Sequence, residues 1–260
     1  MSTLLKLKGL TKVITNQADE DNRILDGVDF TLNEGEFVTV LGGNGAGKST
    51  LFNSITGSTE TTGGTVELKD KNLTKWKEEK RAGLISRVFQ DPKMGTAPRM
   101  TVAENLLLAK LRGERKTLKS RSLKKNKAAF VEMCASIGNG LEKQIDAPAG
   151  NLSGGQRQSL SLLMATMTRP DLLLLDEHTA ALDPKTSKKL MELTDQIIKE
   201  KQLTCMMITH QMEDALAYGN RLIVMKDGKI TLDLNEKEKE KMTLKDLLRL
   251  FEEENLTAVL

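Results

Sequence analysis

The stretch Gly42-Gly43-Asn44-Gly45-Ala46-Gly47-Lys48-Ser49 constrains this chain more than any other part of it. It fits the pattern G-x-x-x-x-G-K-[ST], follows the apolar run EFVTVL and precedes KSTLFNSI, which reads as a helix. Glycines let the backbone fold tightly enough for successive N–H groups to point at phosphate oxygens. The helix N-terminus adds partial positive charge at the same place. In that arrangement Lys48 reaches the β and γ phosphates of a nucleotide, and the Ser49 hydroxyl binds Mg²⁺. The expected cradle runs from Gly42 through Thr50. The competing reading is a glycine-rich turn with a chance lysine, and the flanking strand and helix weigh against it.

Two further elements carry chemistry. Residues 172–177, LLLLDE, read as a buried strand that delivers two acids to the end of an open sheet. Asp176 is the expected Mg²⁺ holder, through water, and Glu177 the base that polarises an attacking water. A hydrophobic run ending in Asp-Glu is common by itself and gains its meaning from the phosphate loop upstream. The other element is LSGGQRQ, residues 152–158, followed by Leu160, Leu163, Met164 and Met167 at helical spacing. Ser153 is a good N-cap, and the amides of Gly154 and Gly155 open a second helix end suited to an anion.

LSGGQRQ resembles the signature of the ABC ATPases, and the family's other elements follow in order. Gln90 in RVFQDP is similar to the Q-loop glutamine, Ala181-Leu182-Asp183 to the D-loop, and His210 in MMITHQMEDAL to the switch histidine. The resemblance implies an α/β, P-loop NTPase fold of the ABC ATPase type, with an N-terminal antiparallel β subdomain and a helical signature subdomain. It implies ATP and Mg²⁺ as cofactors, with Ser49, Gln90 and Asp176 at the metal and Lys48, Gln90, Glu177 and His210 in catalysis. It also implies a homodimer in which Ser153, Gly154, Gly155, Gln156 and Asp183 of one subunit close over nucleotide held by the other. Its other implied partners are integral membrane permease subunits and, through them, an extracytoplasmic solute-binding protein. The chain would then lie on the cytoplasmic face of the membrane. Two positions depart from the family pattern. His178 replaces the proline that usually follows the base, and Ile14 stands where an aromatic residue usually stacks on adenine.

VFQDPKMGTAPRMTVAENL, LDEHTAALDPKT and ITHQMEDALAYGNRL resemble, more narrowly, the ATPase subunits of bacterial tryptophan/tyrosine-type importers. The function so implied is ATP hydrolysis coupled to import of an amino acid. The alternative is a soluble ABC ATPase of a cytosolic assembly system, such as iron–sulfur cluster assembly, which also has one compact domain. A long coiled coil between loop and signature, expected of chromosome-organising relatives, is absent, since no heptads are sustained there.

Organisation and composition fit this reading. Strands alternate with helices, which implies an α/β core at about 1–92 and 165–235, with a mainly helical subdomain at about 93–164. Within that insert, Ala129, Met133 and Ile137 mark a helix face. An amphipathic helix at about 242–256 carries Leu244, Leu247, Leu248 and Phe251. Aromatic residues make up only 3%, which argues against a stacking platform for nucleic acid. Residues 110–127 hold nine Lys or Arg against one Glu; a contact with anionic lipid or nucleic acid competes there with a solvated loop and helix face, which is preferred. No run is apolar enough to span a membrane, and the first residues lack a signal-peptide core. Cys134 and Cys205 are expected to be reduced core thiols.

Overall fold

The computed structural model describes residues 2–15, 21–113 and 122–257. In chain order it forms β1 (Thr3–Thr15), β2 (Asp21–Asn33), β3 (Phe37–Gly42), α1 (Lys48–Thr56), β4 (Gly63–Leu68), β5 (Lys71–Asn72), α2 (Glu78–Arg81), β6 (Ile85–Val88), α3 (Pro92–Gly95), α4 (Val102–Lys110) and α5 (Leu123–Ala135). There follow α6 (Gly154–Thr166), β7 (Leu172–Asp176), α7 (Pro184–Lys201), β8 (Cys205–Ile208), α8 (Met212–Ala217), β9 (Arg221–Lys226), β10 (Lys229–Leu234), α9 (Glu236–Lys239) and α10 (Leu244–Thr257). The chain divides into two units, residues 1–77 with 205–260, and residues 78–204.

The first unit holds an antiparallel sheet in the order β2-β1-β4-β5 and strands in the order β10-β9-β3-β8. β3 runs parallel to both of its neighbours, Val40 facing Ile208 on one side and Ile223 on the other. Residues 37–41 are all buried, the continuous apolar pattern of a parallel strand covered on both faces. β1 instead alternates: Leu5, Leu7 and Leu10 are buried and the lysines between them exposed. Leu41, Ala215, Leu222, Val224, Leu234 and Leu247 form a core that α10 helps to close, with Phe251 packed against it. Leu244 and Leu248 of the same helix are exposed, so the apolar stripe read from sequence is only half used.

In the second unit β6 and β7 pair in parallel, with Ile85 opposite Leu172 and Val88 opposite Leu175. All five β7 residues are buried; each leucine there contributes about 1.5–3 kcal/mol by leaving water. The helices pack around Val102, Leu106, Phe130, Cys134, Leu160 and Leu163. α5 forms where helical spacing predicted one, but Phe130 and Cys134 are its buried residues while Ala129 is exposed. Thr101 and Glu104 close the start of α4 as a reciprocal capping box. Lys124 and Lys125 lie exposed on α5 and Lys127 pairs with Asp146 at 2.7 Å, a solvated face for that part of the basic segment; residues 114–121 lie outside the described residues. Both cysteines are free and buried. No helix among the described residues is long and apolar enough to cross a membrane.

Candidate active site

In the first unit the phosphate loop leaves β3 at Gly42, whose backbone is left-handed (φ 154°) and whose absent Cβ would stand 2.3 Å from the Met225 carbonyl oxygen. Gly47 is equally constrained: φ is 95°, and a Cβ would stand 2.7 Å from the Ile24 carbonyl oxygen. At Gly45 there is open space, and the positive φ of 82° alone asks for glycine. The loop is pinned from behind by Gly228, whose N–H donates to the Ala46 carbonyl at 3.2 Å. Gly43, Asn44 and Gly45 face outward.

Lys48 is buried, and its ammonium donates to the carbonyl oxygens of Gly42 at 2.7 Å and Gly43 at 3.0 Å. A cation is therefore held against the carbonyls of the loop. Gly47 is the N-cap of α1 and offers no side-chain cap, and the helix N-terminus carries partial positive charge there. Ser49 is exposed and Thr50 half-buried. His210 follows β8 and is exposed, on a turn where the Thr209 hydroxyl accepts from the Gln211 N–H at 3.0 Å. Ile14 lies on β1 opposite Asn22 and is 52% exposed, open to a flat apolar ligand.

In the second unit Asp176 ends β7, buried, and the Arg87 guanidinium of β6 donates to its carboxylate. Arg87 also stacks over Phe89, 4.8 Å from the ring centre. Sequence reading passed over this arginine, although a charge inside a short buried strand is a signal for a partner. Glu177 is left-handed at φ 44°, a conformation that costs a non-glycine residue about 1–3 kcal/mol and persists only where the surroundings impose it. The Gln90 side-chain amide donates to the Glu177 carboxylate at 3.1 Å, so the structure brings these two expected site residues together. His178 is buried at 2% exposure, with Nε2 3.0 Å from the Thr194 hydroxyl; burial pushes its pKa down to about 4.

The signature helix α6 begins differently from α1. The Ser153 hydroxyl accepts from the Gln156 N–H at 3.3 Å, and the Gln156 side-chain oxygen accepts from the Ser153 N–H at 3.3 Å. Gln156 is further held by donating to the Asn139 carbonyl at 3.2 Å. Gly154 is exposed, and a Cβ on Gly155 would come 2.5 Å from the Thr186 methyl group. That contact places the signature beside the first turn of α7, which Asp183 caps by accepting from the Thr186 N–H at 3.1 Å. Hydrogen bonds from Thr186 hold the Asp183 carboxyl below its ordinary range. Gly42 to Thr50, Ile14 and His210 thus belong to one unit, and Gln90, Ser153 to Gln156, Asp176, Glu177 and Asp183 to the other.

Residues 25–180 match the family model of the ABC transporter. The chain is 45% identical over 249 residues to a tyrosine transport ATP-binding protein from Clostridioides difficile (strain R20291), which covers 96% of this chain and 99% of that one. It is 33% identical over 237 residues to a phosphonates import ATP-binding protein, PhnC 2, of Oceanobacillus iheyensis, with 89% and 90% covered. Among solved structures it resembles the dimeric post-hydrolysis state of the ATP-binding cassette MJ0796 bound to ADP and Pi, with a TM-score of 0.76, 29% identity, and 90% and 99% of the two chains covered. It also resembles cbiO1 from Clostridium perfringens, part of the ABC transporter complex cbiONQ, with a TM-score of 0.75, 28% identity, and 96% and 94% covered.

Proposed function

This chain belongs to the ABC transporter family as an ATP-hydrolysing subunit, and from that premise we propose that it drives import of an aromatic amino acid. The observation that carries the substrate class is its near-full-length similarity to the tyrosine transport ATP-binding protein. Cassettes of this family work as dimers and with membrane components, and we propose the same of this chain: two copies, a permease, and an extracytoplasmic solute-binding protein that selects the cargo.

In the proposed cycle the amides from Gly43 to Gly47 and the Lys48 ammonium hold the β and γ phosphates of ATP, and Ile14 lies against adenine. The Ser49 hydroxyl and the Asp176 carboxylate are hard oxygen donors of the kind Mg²⁺ takes, with the Gln90 amide oxygen as a third. When bound, Mg²⁺ neutralises charge developing on the phosphate oxygens. Glu177 accepts the proton of the attacking water, and the Gln90 contact at 3.1 Å orients its carboxylate. His210 contacts the γ-phosphate. Ser153, Gly154, Gly155 and Gln156 close over the nucleotide of the other subunit, with Asp183 beside them. Loss of the γ-phosphate removes the contacts that bridge the two copies, and that difference in interaction reopens the dimer.

A permease segment has a surface to meet in the second unit. A groove of about 350 Å³ is lined by Phe89, Met94, Leu108, Arg112 and Met164, with Met94 69% and Leu108 43% exposed. Large exposed apolar side chains beside Arg87 and Arg112 suit an amphipathic helix from a membrane partner. It adjoins Gln90 in sequence, so docking would be felt at the base.

Glu177→Gln tests the core of this reading. With Mg²⁺ and ATP the variant is expected to keep nucleotide, hydrolyse at least about 10²-fold more slowly, and run as a dimer in size-exclusion chromatography. Wild-type turnover, or a variant that stays monomeric at every concentration, refutes it. Uptake assays on the chain reconstituted with its permease test the cargo: ATP-dependent uptake of tyrosine or tryptophan is expected, and uptake of neither refutes the substrate class.

A further inference from the structure

His178 follows the proposed base and is absent from the cycle above, yet its buried ring takes up room inside the second unit. The loop it belongs to joins β7 to α7. One end is fixed by the buried strand and the other by the Asp183 cap, and between them Glu177 takes a left-handed backbone. Two short turns shape the stretch: the Ala180 N–H donates to the Glu177 carbonyl at 3.0 Å and the Leu182 N–H to the Thr179 carbonyl at 3.2 Å. Neither turn ties the loop to the body of the protein.

The His178 side chain does. Its Nε2 lies 3.0 Å from the hydroxyl of Thr194, in the middle of α7. The Thr194 hydroxyl has a single proton, and that proton goes to the Leu190 carbonyl at 2.7 Å. Its oxygen therefore accepts, and the histidine donates from Nε2–H. All members of this chain of bonds are satisfied, and both His178 and Thr194 are buried, so the ring has one defined position.

We propose that His178 is a positioning residue for ATP hydrolysis, holding the Glu177 backbone in its left-handed conformation through the hydrogen bond from its Nε2 to Thr194. This rests on the reading of Glu177 as the base. The carboxylate is fixed at its tip by Gln90 and at its root by His178, so that it meets the attacking water in one orientation. A base displaced by about an ångström loses on the order of 10²-fold in rate, whereas contacts to the bulk of the nucleotide lie elsewhere and are unaffected.

The test is a set of variants in the full chain. His178→Leu fills similar volume without a donor and leaves the Thr194–Leu190 bond intact. It is expected to lower kcat roughly ten- to a hundredfold, leave KM for ATP unchanged and speed hydrogen exchange at the Ala180 amide. His178→Gln carries an amide nitrogen near the position of Nε2 and is expected to recover most of kcat. ¹⁵N NMR of the ring in the wild-type chain should find the proton on Nε2, and Thr194→Val should shift that resonance. A His178→Leu chain with wild-type kcat, a His178→Gln chain as impaired as His178→Leu, or a ring protonated on Nδ1 alone overturns the proposal. Failure here is distinct from failure of the base itself: if Glu177→Gln hydrolyses normally the base is wrong, whereas a silent His178 in an enzyme that depends on Glu177 refutes positioning alone.

Discussion

Two helices in this protein begin with glycine and serine, and they begin in opposite ways. α1 starts at Gly47, left-handed and without a side-chain cap, directly before the buried Lys48. α6 starts at Ser153, whose hydroxyl and whose partner Gln156 satisfy each other across the first turn. A glycine N-cap forgoes only a few tenths of a kcal/mol against serine, and the fold accepts this at α1, where we propose that phosphate binds. At α6 the two cap bonds, both 3.3 Å, satisfy the Ser153 and Gln156 N–H groups, and in the proposed dimer a phosphate would meet this end beside them. One helix end lacks a side-chain cap; the other is closed by a reciprocal one.

The largest effect is expected where the open end is disabled. Lys48→Ala removes a charge-assisted donor to the phosphates, which should weaken ATP binding by about 1.5–3 kcal/mol. Titration with a fluorescent ATP analogue measures it, and unchanged affinity breaks the comparison at its first term. Gly47→Ala comes next, because its Cβ would press on the Ile24 backbone oxygen at 2.7 Å in a left-handed conformation. A loss of about 1–3 kcal/mol in urea unfolding is expected. Gly155→Ala would place a Cβ 2.5 Å from the Thr186 methyl group, a side chain rather than backbone and without a left-handed φ at the glycine, and should cost less than Gly47→Ala. Equal losses in the two variants would show that neither helix end is specialised.

Both ends were legible in the sequence because each is written in consecutive residues. Glycines at 42, 45 and 47 answer a local backbone demand, and Ser153 with Gln156 three residues on is a local cap. The buried run of β7 was legible for the same reason, since four leucines need no distant partner to announce a core strand. On α5 the expected Met133 and Ile137 do pack against the core, but Ala129 is exposed and Phe130 is buried: spacing alone does not choose between those two, whereas the volume to be filled beside Leu106 and Leu160 does. What sequence could not give are the contacts that tune the acids. Arg87 with Asp176, Gln90 with Glu177 and His178 with Thr194 join residues 89, 87 and 16 positions apart. Only the pairing of β6 with β7 and the packing of α7 bring them within reach.

A third helix end gives a pH test of the same idea. The carbonyls just past α8 are closed by Lys239, whose ammonium donates to Tyr218 and, at 2.9 Å, to Gly219. Burial pulls the pKa of Lys239 from 10.5 down to about 8. The folded pKa is then below the unfolded one, so between these values the unfolded chain binds more protons and stability rises with pH. Relative to Lys239→Met, the wild-type chain should gain about 1.4 kcal/mol between pH 7 and pH 9, read from paired urea curves. A difference that stays flat or falls over that window would show that this end is not closed by a desolvated cation.

The smallest effect in stability is the sharpest for the comparison. Ser153→Ala deletes the α6 cap and should cost about 1 kcal/mol in unfolding, while Ser153→Gly should cost only a few tenths. If the α6 end serves a partner's nucleotide, both variants bind ATP as single chains with wild-type affinity, since Lys48 and the α1 amides are untouched. In a Glu177→Gln background both should then dimerise less tightly with ATP, by a similar factor despite their different stabilities, because each lacks the hydroxyl that would meet the γ-phosphate. Analytical ultracentrifugation separates the two roles. If dimerisation follows stability, falling for alanine and holding for glycine, Ser153 is a helix cap alone and α6 does not open to the ligand.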